Sequence, residues 1–149
     1  IGGYPDGSFK PNNQITRAEF VTILAKAFQL EADTSRIFED TRGHWAQDSI
    51  STAAANKVVS GYSDRLFGPD DFITREQRAV MIVNAADLTD KTDAIAFSDQ
   101  DQFSAWAQEA IICAAANNLI TGYADNSFQP KNNATRAEAA AIVARAMQL

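Results

Sequence analysis

Apolar residues recur at helical spacing in two kinds of stretch. Phe20, Ile23, Leu24, Ala27 and Phe28 follow the i, i+3, i+4 intervals of one helix face. Ala139, Ile142, Val143, Ala146 and Met147 do the same near the end of the chain. These two stretches predict helices with a broad apolar face turned to a core. A narrower stripe, rich in Ala, is formed by Ile50, Ala53 and Ala54 and again by Ile111, Ala114 and Ala115. Small residues let helices approach closely, so these helices are expected at the centre, packed against their equivalents. They are expected to stop near Gly61 and Gly122, glycine being the usual residue just past a helix end.

The polar stretches between the helices repeat. Gly3-Tyr4-x-Asp6-x-x-Phe9-x-Pro11, Gly61-Tyr62-x-Asp64-x-x-Phe67-x-Pro69 and Gly122-Tyr123-x-Asp125-x-x-Phe128-x-Pro130 align without gaps, at offsets of 58 and 61 residues. Asp and Gly give these segments turn chemistry. The repeated Phe9, Phe67 and Phe128 are expected to pin each loop to the core. Five residues after each Pro comes Thr-Arg: Thr16-Arg17, Thr74-Arg75 and Thr135-Arg136. A further block precedes the second and third copies only. It runs Phe38-x-Asp40, Trp45-Ala46, Ile50, Asn56 in one and Phe97-x-Asp99, Trp106-Ala107, Ile111, Asn117 in the other. The units are therefore residues 1–30, 31–88 and 89–149, in one structural domain. At about 60 residues per repeat, this is two and a half units. The abrupt start at Ile1 reads as the middle of something longer. Polar connectors near Glu31–Ile37 and Asp87–Ala96 separate the repeats.

Thr16-Arg17-Ala18-Glu19 and Thr135-Arg136-Ala137-Glu138 are capping boxes, and Thr74-Arg75-Glu76-Gln77 keeps the logic with Gln at the third position. The arginine is the misfit. The helix dipole disfavours a cation at the first helical position, yet Arg17, Arg75 and Arg136 all stand there. Free backbone N–H groups beside a guanidinium would make an anion site. The alternative is pairing with a carboxylate such as Asp40, Asp99 or a loop Asp. Trp45 and Trp106 also have two readings, core anchor or platform for a sugar ring. Lys10, Arg65 and Lys131 lie in or beside the loops and could add local positive charge.

Composition narrows the function. The 13 Lys and Arg stand against 19 Asp and Glu, a net charge of -6, which argues against general nucleic-acid binding. With one Cys and one His, no internal disulfide or Cys/His zinc site is expected, and no cofactor. No apolar run is long enough to cross a bilayer, and no signal-peptide pattern opens the chain. No nucleophile–base pair stands out, so no enzyme is expected. Cys113 reads as a small semi-buried side chain, and His44 as a helix-start residue.

Phe97-x-Asp99, Trp106-Ala107, Ile111, Gly122-Tyr123-x-Asp125, Phe128-x-Pro130 and Thr135-Arg136-Ala137-Glu138 resemble the signature of the S-layer homology (SLH) domain family. The resemblance covers essentially the whole chain. It implies an all-α fold, a pseudo-threefold trimer of helix-loop-helix repeats around a central helical bundle, with three prongs. It implies a bacterial cell-envelope or S-layer location. It also implies inter-repeat grooves that bind a secondary cell wall polysaccharide carrying pyruvylated N-acetylmannosamine. The matching groove positions are Arg17, Arg75, Arg136, Gly3, Gly61, Gly122, Trp45, Trp106, Asp40 and Asp99. Glu76-Gln77 in place of Ala-Glu implies an altered or silent groove in the second repeat. The first repeat lacks the Trp block, so a bundle of first helices would be one short. A second chain filling that gap, as a homo-oligomer or filament, is the alternative function.

Overall fold

The computed structural model describes residues 6–91 and 96–149. Gly3, one of the expected groove residues, lies outside them. Among the described residues there are five α-helices: α1 Arg17–Ala27, α2 Gln47–Ala55, α3 Arg75–Ala86, α4 Gln108–Ala116 and α5 Arg136–Ala146. Among the described residues there is no strand, only isolated bridges, so the all-α expectation holds. All three capping boxes form as the sequence predicts. Thr16, Thr74 and Thr135 accept from the N–H of Glu19, Gln77 and Glu138, whose side chains accept from the Thr N–H groups.

The three Thr-Arg helices meet around a ring of backbone hydrogen bonds. Ile15 donates to the Ala134 carbonyl at 3.3 Å, Ala134 to Ile73 at 2.9 Å, and Ile73 back to Ile15 at 2.9 Å. Each repeat thus hands one bond to the next until the cycle closes. All three residues are fully buried, so these peptide groups have no water to turn to and the ring must close. Above it α1, α3 and α5 pack in pairs, while α2 packs on α1 and α4 on α3.

This corrects the expected centre. The Ala-rich helices sit outside, and the central trio is the capped helices, all three of them present. Ile50 and Ala53 of α2, and Ile111 and Ala114 of α4, do bury their stripe, but against a central helix rather than against each other. The bundle is therefore not one helix short. Among the described residues, α5 has no outer helix of the kind that covers α1 and α3.

The stop signal is corrected too. α2 and α4 end at Ala55 and Ala116, with left-handed Lys57 and Asn118 beyond them. Gly61 and Gly122 serve close packing instead. A Cβ on Gly61 would lie 2.5 Å from the Phe38 ring and 2.6 Å from the carbonyls of Leu66 and Ser63. Asn56 and Asn117 tie each connector to its outer helix. Their amides donate to Glu31 and Asp90 carbonyls at 2.9 and 3.0 Å.

The loop phenylalanines behave as expected in two repeats. Phe67 and Phe128 are fully buried, against Phe38 at 5.5 Å and Phe97 at 5.5 Å between ring centres. Phe9 is only half-buried. Cys113 is buried, and burial pushes its thiol up, in keeping with an unreactive side chain. His44 sits at a helix start. It accepts from the Ala46 N–H at 3.0 Å, which leaves its other nitrogen to donate to Asp70 at 2.8 Å.

Candidate functional site

The misplaced arginines are the centre of the site, and their surroundings differ from the expectation. The helix-start N–H groups beside them are occupied. Arg17 N–H donates to the Asp71 carbonyl at 2.8 Å, and Ala18 N–H to that of Pro69 at 2.9 Å. Arg75 and Glu76 donate in the same way to Asn132 and Pro130, and Arg136 and Ala137 to Asn13 and Pro11. The loop of the next repeat caps each helix, so no free backbone donor remains for an anion. At the helix starts, recognition of an anion falls to the guanidinium groups.

Those guanidinium groups are nearly buried, at 3–4% exposure. Each Nε donates to the carbonyl of the next repeat's loop phenylalanine: Arg17 to Phe67 at 3.2 Å, Arg75 to Phe128 at 2.9 Å, Arg136 to Phe9 at 3.0 Å. Each cation also lies over that phenylalanine ring. Arg17 and Arg75 cover Tyr62 and Tyr123 as well, at 4.6 and 4.8 Å. The tyrosine of the Gly-Tyr pair thus backs the cation, a role that its recurrence hinted at and that spacing alone could not assign. Burial, above all, and then the bond to Asp71 push the Tyr62 phenol up, so it stays protonated and donates to Asp71 at 2.9 Å.

The carboxylate partners are also not the expected ones. Arg75 pairs with Glu138, and Arg136 with Glu19 at 3.2 Å, each the third residue of the next capping box. One glutamate therefore caps its own helix and neutralises its neighbour's arginine. The Thr-x-x-Glu spacing predicts only the first job.

Asp40 and Asp99 are placed elsewhere. The Asp40 carboxylate accepts from Phe67 N–H at 2.9 Å and Gly68 N–H at 2.8 Å. Asp99 accepts from Phe128 N–H at 2.9 Å and Gln129 N–H at 2.8 Å. Both hold the loop that carries the arginine's carbonyl partner. Gly68 and Gln129 have φ of 74° and 58°, so the carboxylate fixes a left-handed residue. Asp99→Ala is expected to cost about 2–3 kcal/mol, because charge-assisted bonds are lost and a buried N–H is left without a partner. Denaturant midpoints will read this; a shift no larger than that of an exposed-residue control would count against the assignment.

The expected loop cations are already committed. Arg65 pairs with Glu39 at 2.9 Å. Lys131 pairs at 2.9 Å with Glu76, a buried carboxylate that also takes the N–H and hydroxyl of Ser104 at 3.0 and 2.7 Å. Glu76 thus anchors the start of the segment that carries Trp106. The loop Asp is not uniform either. Asp6 and Asp125 accept from Ser8 and Ser127 two residues on, and these bonds hold their carboxyls below the usual range. In the second repeat Ser63 replaces Asp64, taking the N–H groups of Arg65 and Leu66.

Trp45 and Trp106 are 66% and 60% exposed, which rules out the core-anchor reading. Trp106 lines a cavity of about 430 Å³ with Arg17, Gly61, Tyr62 and Gln77. Trp45 lines another of about 490 Å³ with Arg136, Glu19, Thr22 and Lys26. Each cavity draws on more than one repeat: in the first, arginine, glycine and tryptophan come from three different ones. Both volumes fall in the usual range for small-ligand sites.

The family model of the S-layer homology domain matches residues 1–21, 37–79 and 96–140. The chain belongs to this family. Among similar proteins, cell surface glycoprotein 1 of Acetivibrio thermocellus is 34% identical over 99% of this chain, which spans 7% of that relative. The cellulosome-anchoring protein of the same organism is 33% identical over 99% of the chain and 35% of its own length. The surface-layer 125 kDa protein of Lysinibacillus sphaericus is 31% identical over 99% of the chain and 13% of its own. This SLH chain is thus a small part of the length of the relatives it matches. An SLH domain is a non-catalytic anchoring module of the cell-envelope surface. Among the described residues, no His/Cys/Asp/Glu group could hold a metal ion and no helix is long and apolar enough to cross a membrane.

Proposed function

We propose that this SLH module anchors its parent protein by holding an anionic, pyruvylated cell wall polysaccharide in the grooves between repeats. The guanidinium of the Thr-Arg motif reads the acidic group, and the tryptophan of the adjoining prong stacks on a sugar ring. Gly61 lets the loop lie close enough to leave the groove open beside Arg17. Asp40 and Asp99 act as positioning residues, through the loops they hold. The observation that carries this reading is that Arg17, Gly61 and Trp106, each far apart in sequence, line one cavity.

Purified wall polymer bearing pyruvylated N-acetylmannosamine tests it by co-sedimentation. The Arg17→Ala/Arg136→Ala variant, checked for native helicity, is expected to be retained roughly tenfold less than wild type, as befits loss of charge-assisted contacts. Equal retention would end the proposal.

A further inference from the structure

We propose that the surroundings of the three motif arginines are unequal and that Gln77 makes the groove at Arg17 the carboxylate-reading groove of the module. This rests on the polysaccharide-anchoring reading above and adds which groove reads the acid and which residue decides it.

The capping boxes form a cycle of neighbours. The arginine of each central helix faces the third residue of the next capping box. Arg75 meets Glu138 and Arg136 meets Glu19, and both are ion pairs. The residue in the same place for Arg17 is Gln77, which lines the cavity with it. Gln77 keeps the whole capping function: it donates to Thr74 Oγ1 at 3.2 Å and accepts from the Thr74 N–H at 3.0 Å. The helix therefore loses nothing by the exchange, whereas the neighbouring arginine loses a negative charge. Of the two outcomes expected from Glu76-Gln77, an altered or a silent groove, this favours the altered one: the departure from Ala-Glu leaves the adjoining arginine without a carboxylate partner.

What remains around Arg17 is mostly neutral. Its Nε and one terminal nitrogen donate to the carbonyls of Phe67 and Ser60 at 3.2 and 3.4 Å, and its guanidinium lies between the rings of Tyr62 and Phe67. Among the described residues, no carboxylate stands within ion-pair distance of it. The negative groups that act on it from farther away are Asp71, engaged by the Tyr62 hydroxyl, and Asp40, engaged by the loop backbone. Burial pushes this guanidinium below the ordinary arginine range. A nearly buried cation with no carboxylate gains most from an incoming one, because an ion pair formed there is only weakly screened. At Arg75 and Arg136 a ligand carboxylate would first have to displace a glutamate or stand beside its like charge.

Two further cations stand near Arg75 or its neighbour Arg78 and do not change this. Arg145 donates to the Leu119 carbonyl at 3.2 Å, and Arg78 is 97% buried. Neither removes Glu138 from Arg75. The groove at Arg17 is the one where a guanidinium without a carboxylate at ion-pair distance, the Gly-Tyr loop and an exposed tryptophan share a cavity among the described residues.

Two probes separate the possibilities: the pyruvylated polymer, and the same polymer after mild acid has removed its ketals. Calorimetric affinities are compared for wild type, Gln77→Glu and Glu19→Gln. Gln77→Glu restores the residue found in the other two capping boxes and should melt like wild type. It is expected to weaken binding of the pyruvylated polymer about tenfold and leave the ketal-free polymer unaffected. Glu19→Gln is expected to strengthen binding of the pyruvylated polymer, because it removes the negative charge that faces Arg136. Equal weakening on both polymers, or none, would overturn the role of Gln77 while leaving the anchoring reading intact. Failure of wild type to bind either polymer would end the anchoring reading and this inference with it.

Discussion

Gly61→Ala is expected to destabilise the module by about 3 kcal/mol, the upper end of the usual cost of overpacking. For a chain of this length that is a fall of roughly 6–12 °C in Tm. The added methyl would meet the Phe38 ring at 2.5 Å on one side and two backbone carbonyls at 2.6 Å on the other. Phe38 is fully buried against Phe67, so it cannot swing away without opening the core of that repeat. The carbonyls belong to the loop that carries Tyr62, so any relief comes from moving the floor of the groove at Arg17. Polymer binding should therefore weaken even where the variant stays folded. Gly43→Ala is the control. Its φ is 74° but nothing lies within 4 Å of the added atom, so only the backbone strain of about 1 kcal/mol is expected. Thermal melts of the two variants decide the matter: equal losses would mean that close approach at Gly61 is not what selects glycine.

Arg78→Phe should have the opposite sign, a gain of about 2 kcal/mol, within the range found when buried charge gives way to apolar packing. Arg78 stands where the first and third repeats have Phe20 and Ala139, both fully buried. Its side chain is 3% exposed, its Nε has no hydrogen-bond partner, and no carboxylate pairs with it among the described residues. Burial, and next the like charge of Arg75, push its pKa down to about 10. For a cation, a folded value below the unfolded one means that the charged form is disfavoured by folding. The penalty is present in full below pH 10 and fades only as the pH rises through that value. The gain from Arg78→Phe should thus be the same at pH 6 and pH 8. A lower Tm at pH 7 would show that Arg78 contributes bonds that outweigh its burial.

Much of the module was legible because its information is local. Capping needs only residues three apart, and Thr16, Thr74 and Thr135 correctly marked the starts of α1, α3 and α5. The repeat offsets placed Arg17, Gly61 and Trp106 as members of one recurring set. The errors came where one residue type serves two purposes. Glycine ends helices and also permits close packing; at Gly61 and Gly122 the second use won, because an aromatic ring and a loop converge on the same point. An Ala-rich stripe signals close approach without naming the partner, so α2 and α4 were expected at the centre and lie outside it. The family resemblance put Asp40 and Asp99 among the groove residues; their carboxylates hold loop N–H groups, a partner that only the folded loop supplies.

From the order of residues alone come the three units, the capped helices, the turn loops and the family to which the chain belongs. Each follows from short-range geometry or from recurrence at a fixed interval. Folding in three dimensions settled which helices form the centre, and that loop carbonyls close the helix starts. It also paired the arginines with Glu138 and Glu19 and left Arg17 facing Gln77. These contacts join residues some 50 to 120 positions apart, and no local rule couples positions so distant. They arise only when the ring through Ile15, Ile73 and Ala134 closes and brings each repeat's cation against its neighbour's cap.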